Sequence, residues 1–149
     1  MEKIRGMEKI VVGVDGSKES LDALRWAVAE TKLRSASLSA VCVWEYPYAY
    51  TGIPDGEMVM PVETVETGAR STLDSAIDTI VDDPDVRESI ERVVVCGNPA
   101  HVLREQSKGA ELLVVGARGR GGFLGLLLGS TSDALARHAE CPVVVVRTV

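Results

Sequence analysis

Short runs of β-branched apolar residues alternate along the chain with longer segments whose apolar residues recur at helical spacing. The first run, residues 10–14, reads Ile-Val-Val-Gly-Val, which is typical of a strand that helices cover on both faces. The pattern predicts strands at 10–14, 38–44, 89–96, 112–115 and 143–147, with helices between them at 17–31, 63–81, 100–108 and 130–139. Alternation of this kind predicts an α/β fold: one Rossmann-like domain with a five-stranded parallel sheet and helices on both faces.

The length and the charge of the chain narrow the classes of protein it can belong to. Its 149 residues fit a single compact domain. Sixteen Lys and Arg against 22 Asp and Glu give a net charge of −6, which disfavours nucleic acid and anionic membranes as partners. No apolar run approaches the roughly 18 residues of a membrane helix. We therefore expect a soluble protein whose partner, if it is an anion, is small and held in a local pocket.

The cysteines and histidines predict neither a disulfide framework nor a metal site. Cys42, Cys96 and Cys141 are an odd number and lack CxxC spacing, which is typical of thiols in a reducing cytoplasm. His101 and His138 stand apart from any cysteine or acidic pair at ligand spacing. We expect a cytoplasmic protein with no metal site built from side chains.

The first residues contain a short repeat. Residues 1–4 read Met-Glu-Lys-Ile, and residues 7–10 read the same. This leaves two interpretations of residues 1–6, an added leader or tag remnant and an alternative start. The domain itself is expected to span residues 7–149.

Residues 116–131 carry six glycines between the fourth predicted strand and the last predicted helix. Glycines allow backbone N–H groups to approach a ligand closely, and a helix N-terminus favours a phosphate. Ser130 and Thr131 add hydroxyl donors, while Arg118 and Arg120 add positive charge. The segment therefore predicts a cradle for a di- or triphosphate. The alternative is a flexible surface loop with incidental glycines and solvated arginines.

Two common phosphate motifs are absent from the sequence. No Gly-Lys pair occurs anywhere in the chain, so it holds no Walker motif. A dinucleotide fingerprint that starts at Gly119 would need a glycine at Leu124. The spacing is instead Gly116-x2-Gly119-x9-Gly129-Ser130.

This spacing, after an apolar strand and before a final helix and strand, resembles that of the ATP-binding universal stress proteins. The resemblance extends over nearly the whole chain from about Met7. It includes Val-Asp-Gly-Ser at 14–17, Gly-Asn-Pro-Ala at 97–100 and Cys-Pro-Val-Val-Val-Val at 141–146.

The resemblance implies a role for each matching position. Asp15, with Gly13 and Val14 beside it, would contact the adenosine end of the nucleotide, and Val43 would lie against the adenine. Gly116 and Gly119 would let the chain pass close to the ribose and phosphates, and Gly129, Ser130 and Thr131 would form the phosphate-binding helix start. The family often has Ser where this chain has Ala117 and Val where it has Thr131, which changes the hydroxyls available to the phosphates.

The function implied is that of a regulatory protein that holds ATP, with Mg²⁺ or Mn²⁺ bridging the phosphates. The glycine segment has no carboxylate between Gly116 and Ser132, so we expect at most slow hydrolysis. The resemblance also implies a homodimer, and an apolar last strand at Val143–Val146 favours pairing with a second copy. Two alternatives stay open: an adenylating or pyrophosphatase-type ATP enzyme, and a dimerisation module that binds no nucleotide.

Overall fold

The computed structural model describes residues 8–45, 61–119 and 127–148. Within these ranges the chain forms five strands and five helices. In chain order they are β1 (Lys9–Gly13), α1 (Lys18–Arg34), β2 (Ser37–Trp44), α2 (Val62–Ile80), α3 (Pro84–Ser89), β3 (Glu91–Cys96), α4 (Pro99–Gln106), β4 (Leu112–Gly116), α5 (Ser130–His138) and β5 (Val143–Val146).

The strands form one parallel sheet in the order β3-β2-β1-β4-β5. The chain proceeds outward from β1 to β3, then returns to the other side of β1 for β4 and β5. The strand order therefore reverses between β1 and β4, and in open parallel sheets ligands bind beyond the carboxyl ends of the strands at such a point. The predicted five-stranded parallel α/β fold is confirmed.

Each face of the sheet has its own apolar core. On one face the side chains of Ile10 and Val12 pack beneath α1 and α2, which contribute Leu24 and Leu73 among others. On the other face Val11 and Leu113 pack beneath α4 and α5. Because successive residues of a strand point to opposite faces, the continuous apolar run of β1 supplies both cores.

The structure has one short helix that the sequence pattern did not predict. Residues 82–84 end α2, as expected, but Asp83 then accepts a hydrogen bond from the amide of Asp85 and caps α3, with Pro84 in its first turn. Proline fits this position because the first turn needs no amide donor there. As a result β3 begins at Glu91 rather than at residue 89.

The other element boundaries lie within three residues of the predicted ones. The largest shift is at the end of α1, which continues to Arg34 and closes at Ser35 in the left-handed conformation, with φ of 53°. None of the helices in the described ranges combines the length and apolar character needed to cross a membrane.

The opposite faces of α1 provide a direct test of the core. Leu24 is completely buried, whereas Leu33, on the same helix, is 81% exposed. Replacing Leu24 by Ala should lower the free energy of unfolding by about 2–5 kcal/mol, because it leaves a cavity. Leu33→Ala is the matched control and should change it by less than about 0.5 kcal/mol. Urea denaturation of both variants measures the difference, and equal losses would contradict the assigned orientation of α1.

Candidate functional site

The turn after β1 holds the carboxylate of Asp15 in a fixed position. Oδ1 of Asp15 accepts a hydrogen bond from the amide of Ser17 at 2.8 Å, and the amide of Asp15 donates to Oγ of Ser20 at 3.2 Å. Oγ of Ser17 in turn accepts from the amide of Ser20 at 3.2 Å and caps α1. The strand end and the helix start are thus joined by three local hydrogen bonds, which orient the carboxylate.

The end of β4 lies directly against the first turn of α1. A Cβ atom built on Gly116 would stand 2.8 Å from the carbonyl carbon of Glu19 and 2.9 Å from its Cβ. Real Cβ atoms do not make contacts this short, so only glycine allows this approach. The resemblance implies that Gly116 lets the chain pass close to a nucleotide. The structure adds a second reason for glycine at this position, which is its packing against α1.

Asp15 and Gly119, far apart in sequence, meet at the point where the strand order reverses. A Cβ on Gly119 would stand 2.5 Å from Oδ2 of Asp15. The carboxylate of Asp15 therefore lies against the backbone of the loop that leaves β4. Two residues that the sequence assigned to the nucleotide site are in contact.

The start of α5 folds back on the same loop. The amide of Gly129 donates to the carbonyl of Ala117 at 2.6 Å, and Oγ of the buried Ser132 donates to that carbonyl at 2.5 Å. A Cβ on Gly129 would stand 3.2 Å from Cα of Arg118. Gly129 is the N-cap of α5 and offers no side chain to its amides. The positive end of the helix dipole, at Ser130 and Thr131, thus lies beside the loop without a side-chain cap.

Arg118 does not extend into solvent, as the flexible-loop interpretation would have it. Its Nε and Nη2 donate to Oε1 of Glu19 at 3.3 and 3.2 Å, and its amide donates to Oε2 of the same carboxylate. Glu19 is in the first turn of α1. The guanidinium that the sequence offered to a phosphate is therefore paired with a carboxylate.

The remaining predicted residues lie at different depths. The side chain of Val14 is 2% exposed and belongs to the core under α1 and α2, so only its backbone can meet a ligand. A Cβ on Gly13 would stand 2.9 Å from Cδ1 of Leu103, so the end of that side chain would have to shift. Val43 is half-buried near the end of β2. Arg120 lies outside the described residues, and its phosphate contact stays a prediction.

Three residues that shape the site were missed by sequence reasoning. Glu19, Ser20 and Ser132 each hold a loop or turn through a side-chain hydrogen bond. The signal in the sequence was their position. All three are polar residues in the first turn of the helix that follows β1 or β4, the two strands that end at the site. Because β1 and β4 are neighbours, a first-turn residue of α1 lies close to the loop that follows β4.

A cleft of about 300 Å³ opens between α2 and the start of α1, next to the turn that holds Asp15. Gly16 and Leu21 line it from α1 and the preceding turn, and hydroxyls of α2 line the other side, at Ser71, Thr72, Ser75 and Thr79. None of its lining residues is charged, so it suits a phosphate less well than the loop beside α5. In the parts of the chain that the structure describes, no three His, Cys, Asp or Glu side chains cluster as a metal site would require.

Comparison with known proteins gives the family of this chain. The pattern that defines the Universal stress protein family matches residues 6–147. The chain belongs to the universal stress protein family. Universal stress protein Rv2005c of Mycobacterium tuberculosis is 36% identical over 138 residues, which make up 93% of this chain and 45% of the relative. The chain thus spans about half the length of the curated relatives it matches.

Two solved structures extend the comparison. A universal stress protein crystallised in complex with cAMP is 28% identical, with a TM-score of 0.60, and the match covers 97% of this chain and 100% of that one. The structure of hypothetical protein MJ0577 has a TM-score of 0.76 at 18% identity and covers 95% and 96% of the two chains. At that identity the second match shows the fold alone.

The contact between Gly116 and α1 gives a stability prediction. Gly116→Ala should lower the free energy of unfolding by about 1–3 kcal/mol, because the added methyl group overpacks the first turn of α1. Gly68→Ala is the control, since a Cβ there meets no atom within 4 Å. At this exposed position of α2 that change should stabilise the protein by about 0.5–1 kcal/mol. Thermal unfolding of both variants measures the two signs, and a neutral Gly116→Ala would contradict the packing.

Proposed function

We propose that the protein holds ATP at the carboxyl ends of β1 and β4 and acts as a regulatory nucleotide-binding protein. The observation that carries this proposal is the contact of Asp15 with Gly119. Gly119 follows β4 in the chain, and the N-terminus of α5, which has no side-chain cap, lies beside the same residues. A carboxylate suits the ribose hydroxyls, and helix amides suit the phosphates. Gly13, Val14 and Val43 would lie toward the adenosine end, and Ser130 and Thr131 toward the phosphates.

The relative that was crystallised with cAMP supports an adenine nucleotide as the ligand. It is 28% identical and matches over nearly the whole of both chains. An adenine nucleotide needs an apolar surface for the base, a partner for the ribose and donors for the phosphate. Each of these is present among the residues described around Val43, Asp15 and Gly129.

The arrangement of carboxylates favours holding ATP over rapid hydrolysis. Fast phosphoryl transfer needs a residue that orients the attacking water and acidic groups that hold Mg²⁺. At the described site, Asp15 is hydrogen-bonded within its turn and Glu19 is paired with Arg118. A divalent cation, Mg²⁺ or Mn²⁺, would therefore be held mainly by the phosphates.

The edge of the sheet supports assembly into a homodimer. In the described part of the sheet β5 is the last strand on its side, and its four valines are only half-buried. The amides of Leu113 and Ala117 donate to the carbonyls of Pro142 and Val146. In a strand, the N–H and C=O groups of one residue point to the same side, and successive residues alternate between the two sides. Because the carbonyls of Pro142 and Val146 face β4, the N–H and C=O groups of Val143 and Val145 face away from the sheet. A second copy of β5 would satisfy these groups.

The cysteines support a reducing, cytoplasmic location. All three lie in described ranges and none forms a disulfide; Cys42 is buried, Cys141 half-buried and Cys96 exposed. Thiols in this state are typical of proteins from the cytoplasm.

The first test is whether the protein carries its ligand from the cell. The purified protein is denatured, and the supernatant is separated by anion exchange. We expect near-stoichiometric ATP, because a cradle with this many donors retains a triphosphate. A protein that is empty and also gives no heat on titration with ATP would favour the nucleotide-free dimerisation module.

A second measurement separates holding from turnover. ATP is added to the protein with Mg²⁺, and phosphate release is followed with time. Slow or absent release agrees with the proposal, whereas rapid multiple turnover would favour the enzyme alternative.

Substitutions within the cradle locate the binding site. Asp15→Ala and Gly129→Val should each reduce ATP affinity by more than about tenfold, since one removes the carboxylate and the other places methyl groups against the loop. Asp82→Ala and Gly68→Val, at exposed positions outside the site, are the matched controls. Isothermal titration measures the affinities, and circular dichroism verifies that each variant folds. Unchanged affinity in both site variants would place the nucleotide elsewhere.

The edge strand gives a prediction about assembly. Val145→Pro removes an outward N–H that the strand does not use within its own sheet, so the monomer should fold while the dimer weakens. Analytical ultracentrifugation at micromolar concentrations should show the wild type as a dimer and the variant as a monomer. A dimer of unchanged stability in the variant would exclude β5 as the interface.

A further inference from the structure

The carboxylate of Glu19 occupies the donors that a phosphate would use. The loop after β4 offers the amide and the guanidinium of Arg118, and both donate to Glu19. We propose that Glu19 is an intramolecular competitor for the nucleotide phosphates, so that binding requires Arg118 to exchange this carboxylate for a phosphate. This inference rests on the proposed function and concerns the regulation of that same site.

The competing contact is built into the packing of the fold. Gly116, by lacking a side chain, lets the first turn of α1 approach the end of β4, and a Cβ there would stand 3.0 Å from the carbonyl oxygen of Glu19. This approach brings the Glu19 carboxylate to the first residues of the glycine loop. The side chain of Glu19 is 11% exposed and that of Arg118 is 36% exposed. The carboxylate is largely shielded from water and the guanidinium only partly, so the pair is less screened than one that is fully exposed.

The pattern of donors is that of an anion site. One carboxylate receives a backbone amide, Nε and Nη2, which is the forked arrangement that Arg presents equally well to carboxylates and phosphates. The helix start at Ser130, which the resemblance assigns to the phosphates, follows directly from Gly129, which lies against Cα of Arg118. A phosphate bound there would lie beside the backbone of Arg118.

Asp15, the other carboxylate of the site, lies in a different turn. Its Oδ1 accepts the amide of Ser17, within its own turn. Its Oδ2 lies against the backbone of Gly119. Glu19 is the carboxylate to which the amide and the guanidinium of Arg118 donate.

If Glu19 competes in this way, its unfavourable contribution to the free energy of nucleotide binding grows with the negative charge of the ligand. A negative carboxylate close to the loop repels each added phosphate, and it holds the one described cation of the loop in an ion pair. Removing the charge should strengthen the binding of ATP more than that of AMP and leave adenosine nearly unchanged. A residue that only shapes the loop would change the affinities for all three ligands alike.

The test is Glu19→Gln, which keeps the size of the side chain and removes its charge. The matched control is Glu30→Gln. Like Glu19, Glu30 belongs to α1 and forms an ion pair with an arginine, but its partner is Arg34 and the pair lies at the other end of the helix. Isothermal titration with adenosine, AMP, ADP and ATP, each with and without Mg²⁺, measures the affinities. We expect about a fivefold gain for ATP in Glu19→Gln, of the order that freeing one partly exposed ion pair provides, and no gain in the control.

The outcomes separate this inference from the proposed function. If the wild type binds ATP and Glu19→Gln binds it equally or more weakly, Glu19 is a positioning residue or a magnesium partner, and the competition is wrong. A gain of equal size for adenosine and ATP would also overturn it. If neither protein binds any of the nucleotides, the proposed function itself fails, and the inference fails with it.

Discussion

The site depends on the close contact between the end of β4 and the first turn of α1. Gly116 permits this contact because any Cβ there would collide with the backbone of Glu19. The contact fixes the direction in which the loop leaves β4, and so brings Gly119 against Asp15. It also brings a carboxylate of α1 to the amide and guanidinium of Arg118. The residues that pack β4 against α1 are therefore the ones that determine which groups the site offers to a ligand.

The parallel sheet supplies the remaining constraint. The strand order reverses between β1 and β4, so no helix connection crosses above their carboxyl ends and a crevice opens there. Residues from opposite ends of the chain converge at this crevice, at Asp15 and at Gly129. The N-terminus of α5 then directs its amides toward the same loop. The fold accounts for the position of the site before any ligand is considered.

Much of this architecture could be predicted from the sequence, since continuous β-branched runs and helical periodicity are strong local signals. The short helix α3 was missed because a helix of one or two turns has no periodicity, and its start, Asp83-Pro84, reads equally well as the end of α2. The glycine spacing located the loop and the start of α5. What the spacing could not give was the partner of Arg118, because ion pairs between distant residues depend on strand order and on how closely elements approach. Nor could the spacing show that Gly13, which the resemblance assigns to the nucleotide, also lies against the side chain of Leu103.

We expect an adenine nucleotide to bind against Asp15, Gly119 and the start of α5. Titration of ATP into ¹⁵N-labelled protein, followed by amide chemical shifts, tests it most directly. We predict that the largest changes occur at Asp15, Arg118, Gly119, Ser130 and Thr131, with little change in α2. Changes concentrated instead in the cleft between α1 and α2, at Ser71 and Thr79, would contradict it, as would the absence of any change at saturating ATP.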